Sequence, residues 1–507
     1  MNYLLGIDLG TSGTKTVLFD TKGKPVASST VEYPMHQPQN GWAEQDPLDW
    51  WNAAKQTIAT VLKDGKVTPS DVVGVGISGQ MHGLVLLDEN GEVLRNSIIW
   101  CDGRTGKECE EITNKIGADR LIEITANPAL TGFTAGKILW VRNNEPDIFK
   151  KAKHVLLPKD YVRYCLTGVY ATEVSDASGM NLLDMQTRDW SDEIIDKLNL
   201  DKSLFAKVHE SCDVIGKVTA EAAKLTGLAE GTIVVGGAGD NAAAAVGMGV
   251  VEEGNAFTTI GTSGVVFAHS DRVTIDPKGR VHTFCAAVPN AYTVMSCTLA
   301  AGLSLKWLRD TLCDTECATA KSKGVDPYVV MCDLAEQSPI GSNRLIYTPY
   351  LMGERSPILD SDARGGFVGL SAIHTKSDII RSVMEGVIYS QKHCLDVLDE
   401  MKVAPKTMLA CGGGGKSPLW RQMMADLFDC PVMTAVNDEG PALGVAILAG
   451  VGAGIYKSVA EGCKEVMAYN EAQPPISENT KEYMKFYEVY QGIYPALKDT
   501  YHALAKL

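Results

Sequence analysis

YLLGIDLGTSGTKTVLFD (3–20) reads as two β-strands joined by a Gly/Thr/Ser turn, and its centre returns in mid-chain: DLGTSGTK at 8–15 is echoed by TIGTSGVV at 259–266. One such turn is a common object. Two of them, each between β-rich runs and each opening one half of the chain, predict a duplicated domain. Outward from the first turn, TKGK makes the next turn and a third strand follows near VASSTVEY (26–33). DPLDWWNAAKQTIATVLKDG (46–65) has helical periodicity with an acidic start and a glycine stop. VVGVGISG (72–79) is a short apolar run of the kind buried on both faces of a sheet. Strands followed by alternating helix and strand predict an α/β domain with a mixed sheet. The division falls near 247–254, where a helix of small residues ends at VEEG, giving domains 1–247 and 248–507. A helical tail is expected over about 479–505, with Tyr483, Phe486, Tyr487, Tyr490 and Tyr494 at helical spacing for core packing.

Composition narrows the function classes. The chain has 507 residues, 45% hydrophobic and 21% charged, with a formal net charge of −15 and no run of Lys or Arg. Duplex DNA and anionic membrane surfaces are therefore poor partners, and no nucleic acid or membrane is expected to bind. A phosphorylated ligand stays open, because backbone amides and a bound cation hold an anion locally. The 13 cysteines are scattered without a CxxC or a histidine cluster, so no zinc site is expected and the thiols fit a reducing cytoplasm. MNYLLGIDLG lacks a basic n-region and a cleavage site, so no secretory signal is expected. The Gly/Ala-rich stretches 231–251 and 441–456 do not read as membrane spans, and the first carries Asp240 and Asn241.

Three glycine-rich stretches imitate nucleotide motifs. GVGISG (74–79) fits GxGxxG, but another strand follows it where a dinucleotide site needs a helix, so its glycines read as close-approach positions in a strand. GAGDNA (237–242) sits between strand and helix, yet Asp240 falls where a pyrophosphate would lie and would repel it. LACGGGGKS (409–417) has Ala410 where a P-loop needs glycine. It is either a near-miss P-loop or a glycine loop along which adenosine slides. The two GTSG turns decide for the second: each presents backbone N–H groups and hydroxyls to one point, and together they could clasp a polyphosphate from opposite sides. Asp8, just before the first turn, is placed to hold Mg²⁺ directly or through water.

At this point the residues resemble a known family, the FGGY carbohydrate kinases of the actin/Hsp70/sugar-kinase (ribonuclease H-like) superfamily. GFTAGKILWVRNN (132–144) is similar to the first family signature and GGFVGLSAIHTKSDIIRSVME (365–385) to the second. WAEQDPLDWW, GISGQMHG, WCDGR, LLPKDYVRYCLTG, GGAGDNAAAAVG, PYLMGERSP and CGGGGKSPLWRQMMAD extend the resemblance over essentially the whole chain. It implies two actin-like domains around a cleft, with ATP and Mg²⁺ as cofactors and D-xylulose, phosphorylated on its 5-hydroxyl, as acceptor. It also implies a cytoplasmic enzyme and allows a homodimer. Two positions depart from the pattern, Cys101 in WCDGR and Ala238 in GGAGDN, and neither replaces a reacting group.

The same resemblance implies residue roles. Asp240 matches the general base and Asp8 a second acidic residue near Mg²⁺ and the phosphates. Met81 and His82 match the acceptor pair, with Asp240 and Asn241 completing the sugar site. Thr11, Ser12, Lys15, Gly261 and Thr262 match positions around the phosphates. Gly302, Gly412, Gly413, Gly414 and Ser417 match the nucleotide side. Asp240 falls at a helix start, where the dipole favours the ionised form, so a weak, ionised base is expected. QMHG (80–83) in place of a charged pair argues against glycerol and for a longer ketose. Trp50, Trp51, Trp100 and Trp140 are expected to pack rather than to line a sugar. The rivals are a kinase for another ketopentose or a pentitol, an actin/Hsp70-type ATPase, and a silent sugar sensor. Asp8 and Asp240 argue against the sensor, and the lack of a substrate-binding β-domain against the chaperone.

Overall fold

The computed structural model describes residues 2–437 and 439–507. The first strands are β1 (Tyr3–Leu9), β2 (Gly13–Asp20), β3 (Pro25–Glu32), β4 (Val72–Gly79), β5 (Val214–Lys217), β6 (Ile233–Val235) and β7 (Ala238–Gly239). They form one sheet in the order β5-β6-β4-β1-β2-β3, with β7 also paired to β4. The second sheet holds β8 (Asn255–Ile260), β9 (Gly264–Ser270), β10 (His282–Cys285), β11 (Tyr292–Thr298), β12 (Thr407–Cys411) and β13 (Val432–Met433), in the order β10-β11-β9-β8-β12-β13.

The central five strands of the two sheets superpose in connectivity. β1–β2–β3 and β8–β9–β11 are antiparallel meanders around the two GTSG turns. β4 and β6 run parallel beside β1, as β12 and β13 do beside β8. The echo in the sequence is therefore a duplicated fold.

Helix α1 (Pro47–Gly65) forms where periodicity placed it. Asp46 caps it by accepting from Leu48 N–H, Pro47 supplies a preset φ, and Lys66 ends it in the left-handed region. Trp50, Ala54, Ile58 and Val61 form its buried face, against the first sheet. The tail is a long helix, Ser477–Leu504, and Tyr483, Tyr487 and Tyr490 are buried as expected, with Tyr490 hydroxyl 2.8 Å from that of Tyr350.

The halves pack on each other from two sides. Helix α2 (Asp240–Gly247) leaves the first sheet and packs along α3 (Gly440–Gly452), and α3 in turn lies on β1 and β4. The approach is close because β4 carries glycine: a Cβ at Gly76 would stand 2.0 Å from the Val445 carbonyl oxygen. The GVGISG glycines are thus close-approach positions of a strand. From the other side, β10 docks on the first half, with Asn127 Nδ2 donating to Thr283 O (2.8 Å) and Cys285 N–H to Ser178 Oγ (3.1 Å).

Candidate functional site

Register brings the two carboxylates together. Asp8 sits at the C-terminal end of β1, opposite Lys15 on β2 and Ser78 on β4. β7 runs parallel to β4 with Ala238 opposite Ser78, so Asp240 emerges just beyond the same end of the sheet, two strands from Asp8. Burial pushes the Asp8 carboxyl up, while the Ser78 hydroxyl and the Lys15 charge pull it back. Burial also pushes Asp240 up, the Asp8 charge adds to this, and its pKa reaches about 7 despite hydrogen bonds from Asn241. Both donors of Asn241, the backbone N–H (2.7 Å) and Nδ2 (3.0 Å), go to Asp240 Oδ1.

The expectation of a weak, fully ionised base is therefore corrected. Asp240 does begin helix α2, but a helix N-terminus contributes only ~0.3–1 kcal/mol. A rise from 3.8 to about 7 corresponds to about 4 kcal/mol against the charged form. Burial and a like charge win, and the Asp240 carboxyl is poised near neutrality.

The acceptor pair continues from β4. Met81 is buried against Gly239, directly before Asp240. His82 adopts a left-handed φ of 68°, and its Nδ1–H donates to the Gly179 carbonyl oxygen at 2.9 Å. A Cβ at Gly179 would meet the imidazole at 2.4 Å, so glycine is what lets the ring lie there. The turn is pinned by Lys137, whose Nζ donates to His82 O (2.7 Å) and Gly132 O (2.6 Å), with Thr134 Oγ1 adding a third bond to His82 O (3.1 Å). Burial lowers the Lys137 pKa to about 7 and that of His82 to about 3, so the imidazole is neutral.

His82 belongs to an aromatic group that sequence reasoning missed. Its ring centroid lies 4.7 Å from Phe133 and 6.1 Å from Phe284, and His282 stands 5.9 Å from both phenyl rings. His282 and Phe284 come from β10, so the second half supplies part of the aromatic group around His82. Phe133 and Lys137 lay in plain view in GFTAGKILW, as marks of a pattern rather than as parts of a pocket. Of the tryptophans, Trp50 is fully buried, and Trp140 packs on Trp42 beside Arg104. Trp100 is exposed, and its Nε1–H donates to Thr11 Oγ1 at 2.9 Å.

A cavity of about 700 Å³ opens in the second half. Gly261, Thr262, Gly302, Gly413, Gly414 and Ser417 all line it, as does Lys416. Gly302 N–H donates to Gly261 O (2.8 Å) and Leu303 N–H to Thr262 O (3.1 Å), tying the second turn to the start of the next helix. The GGGGKS segment is a strand, one helical turn and then a Ser417-capped helix, Pro418–Phe428. Gly412 turns with φ 72° and is not among the lining residues. Thr11 and Ser12, in the first turn, and Lys15, on β2, also lie outside the lining. Lys15 Nζ is spent on an ion pair across the halves with Glu439, at 2.6 Å.

For Mg²⁺ the described residues offer no cluster of three ligating side chains at Asp8. Among the described residues the one trio of side chains close enough to hold a metal alone is Asp360, Asp362 and His502, which does not include Asp8. Asp8 beside Asp240, each raised in pKa, fits the ion held by one or two carboxylates with water and phosphate oxygens.

Duplicated sheets with paired Gly-Thr-Ser-Gly turns, a cavity of nucleotide size and a buried carboxylate near its neutral point suit a phosphotransferase acting on an alcohol. Residues 3–247 match the FGGY family of carbohydrate kinases, N-terminal domain, and residues 256–453 its C-terminal domain. The chain belongs to the FGGY family of carbohydrate kinases. It is 39% identical to a xylulose kinase of Bacillus subtilis, over 99% of each chain. It is 31% identical to a gluconokinase of Bacillus licheniformis, over 99% of this chain and 98% of the relative. The crystal structure of xylulose kinase from Rhodospirillum rubrum matches with a TM-score of 0.92 and 29% identity, over 99% of this chain and all of that one. No helix among the described residues is long and apolar enough to cross a membrane.

Proposed function

We propose that the protein transfers the γ-phosphoryl group of MgATP to the 5-hydroxyl of D-xylulose, giving D-xylulose 5-phosphate. The observation that carries this reading is Asp240, held near neutrality between the His82/Met81 turn and the phosphate turns. Asp240 accepts the proton of the attacking hydroxyl as the bond to phosphorus forms, a step in which positioning matters more than base strength. His82 and Met81 orient the sugar, the imidazole by hydrogen bonding and the thioether as an adaptable wall. Thr11, Ser12, Gly261 and Thr262 hold the phosphates through backbone amides and hydroxyls, and Gly302, Gly413, Gly414 and Ser417 hold adenosine. Asp8 would hold Mg²⁺, which when bound neutralises charge on the transferring group. Residues 1–247 then carry the sugar site and first turn, and 248–507 the second turn, the adenosine cavity and the C-terminal helix. A cytoplasmic location and a homodimer belong to the same reading.

An ATP-consumption assay over D-xylulose, other ketopentoses, pentitols, gluconate and glycerol tests it. D-Xylulose should give the highest kcat/KM and glycerol a low one. Asp240→Asn should lower kcat at least ~100-fold while leaving the ATP KM little changed. A faster rate with glycerol or gluconate, or more than about a tenth of kcat left in the variant, overturns the reading.

A further inference from the structure

Asp240 opens helix α2 at a point that lacks a capping side chain. The N-cap is Gly239, and no side-chain bond caps the helix there. Glycine is what the position requires: a Cβ would stand 2.8 Å from Met81 Cγ, inside ordinary contact distance. The usual device at a helix start, a Ser, Thr, Asp or Asn whose own side chain bonds the first free amides, is therefore closed off by the acceptor methionine.

A serine from another element takes over the hold. Gly239 N–H donates to Ser175 Oγ at 3.1 Å. Ser175 is fully buried, in the short helix Val174–Ala177. Its hydroxyl has a single hydrogen, which goes to Glu173 Oε1 at 2.9 Å. A carboxylate only accepts, so the Ser175 oxygen keeps its lone pairs for the Gly239 amide. Glu173 is itself fixed, accepting also from Ser175 N–H (2.8 Å), Asp176 N–H (3.0 Å) and Ser211 Oγ (2.7 Å). Lys159 Nζ lies 3.1 Å from its Oε1, and Lys159, Glu173 and Ser211 are as buried as Ser175. The sense of each bond is set, from the Gly239 amide to the hydroxyl and from the hydroxyl to the carboxylate.

The chain before Gly239 is tied down separately. Gly237 N–H donates to Ser211 O (3.0 Å), and Arg163 Nη1 donates to Gly236 O (2.7 Å). Among the described residues the Ser175 bond is the one that a side chain makes to Gly239, directly before the base. If that amide shifts, Asp240 shifts with it, and misplacing a reacting group by about 1 Å can cost ~100-fold in rate.

We propose that Ser175, oriented by Glu173, is a positioning residue for Asp240, acting through the Gly239 amide. This rests on Asp240 being the base. The capping that Met81 denies to residue 239 is supplied from the segment that also carries Gly179, the partner of His82.

A double-mutant cycle tests it. Ser175→Ala should lower kcat about tenfold, with the KM of the sugar and of ATP within about twofold. Ser175→Thr, which keeps the hydroxyl, should recover part of the loss. In Asp240→Asn, where no base is left to position, adding Ser175→Ala should cost less than about twofold more. Ser211→Ala removes the other hydroxyl on Glu173 but leaves the Gly239 bond, so its kcat should stay within about twofold of the unaltered enzyme. Should Ser175→Ala not fold, Ser175→Cys takes its place in the cycle, since a thiol is a much weaker acceptor. Equal losses in the two backgrounds, a loss carried by the sugar KM through the Gly179–His82 contact, a Ser211→Ala loss as large as that of Ser175→Ala, or no loss at all would overturn the assignment. If Asp240→Asn alone keeps its rate, the proposed function fails first, and that is visible before any Ser175 variant is made.

Discussion

Replacing Asp8 by Asn should shift the pH at which the enzyme gains activity, independently of how much activity survives. Asp8 and Asp240 end strands on either side of β4. Two strand spacings across, and up to two residues along, put their backbones about 10–12 Å apart. At an effective dielectric of ~20, two unit charges at that separation repel by about 1.4–1.7 kcal/mol, or about 1 pKa unit. Side chains leaning toward each other increase this and solvent reduces it, so a shift of about one unit is expected. The sign follows from the role: a base works deprotonated, so activity falls as pH drops below the Asp240 pKa of about 7. Without the Asp8 charge the carboxyl of Asp240 ionises more easily, and the acid limb should move down to near pH 6.

The assay is kcat/KM for the sugar at subsaturating MgATP, measured from pH 5 to 9, since that constant reports the free enzyme. Asp8→Asn will also lower the plateau if Asp8 holds Mg²⁺, and the Mg²⁺ requirement should rise with it. The limb position is read from the normalised profile and does not depend on the plateau. An acid limb that stays at the wild-type position, or moves to higher pH, refutes the electrostatic coupling of the two carboxylates.

Lys416→Ala should raise the ATP KM only modestly, because Lys416 lines the cavity on the adenosine side, whereas Thr262→Trp fills the phosphate turn and should nearly abolish turnover. The reverse order in ATP KM and kcat would restore the P-loop reading. Gly76→Ala places a methyl group 2.0 Å from the Val445 carbonyl oxygen, a backbone atom that cannot swing aside. Overpacking of this kind costs ~1–3 kcal/mol or more, so a thermal melt should show a clearly lower Tm, and an unchanged Tm would contradict the packing of α3 on β4.

What the sequence made legible was local. A strand, a Gly/Thr/Ser turn and a second strand form one contiguous unit, so the echo of 8–15 in 259–266 was enough to expose the duplication. GVGISG could be rejected as a dinucleotide motif because a strand and not a helix comes next, and its glycines do face a helix. The missing parts depend on residues far apart in the chain. The phenyl ring of Phe133 and the imidazole of His282 meet only because β10 reaches over to the first half. The charge state of Asp240 was misjudged for a related reason: a helix start is visible in sequence, but burial and a carboxylate two strands away are not. Lys15 shows the same limit, since its partner Glu439 lies in the other half of the chain.

A chain with a net charge of −15 must still draw a polyanionic nucleotide into its cleft, and the distribution of acids shows how. Asp326, Asp333 and Glu336 line the cavity around Tyr328, Val329 and Cys332, away from the Gly261–Thr262 turn in sequence and on separate elements. Phosphates are repelled from that end and attracted to the amide-bearing turns, so the adenosine end of the nucleotide is the part that fits among the acids. On the proposed function Asp8 and Asp240 face the point of transfer, where their full charge would oppose the same phosphates. Burial raises both, the Asp8 charge adds to the rise at Asp240, and Asp240 reaches about 7. On the proposed function, a partly protonated Asp240 lowers the barrier to MgATP entry, and an arriving cation would then favour the ionised form that accepts the sugar proton. On this account the raised carboxylates reconcile an acidic protein with an anionic substrate, and the base reaches its working charge only when the donor is in place.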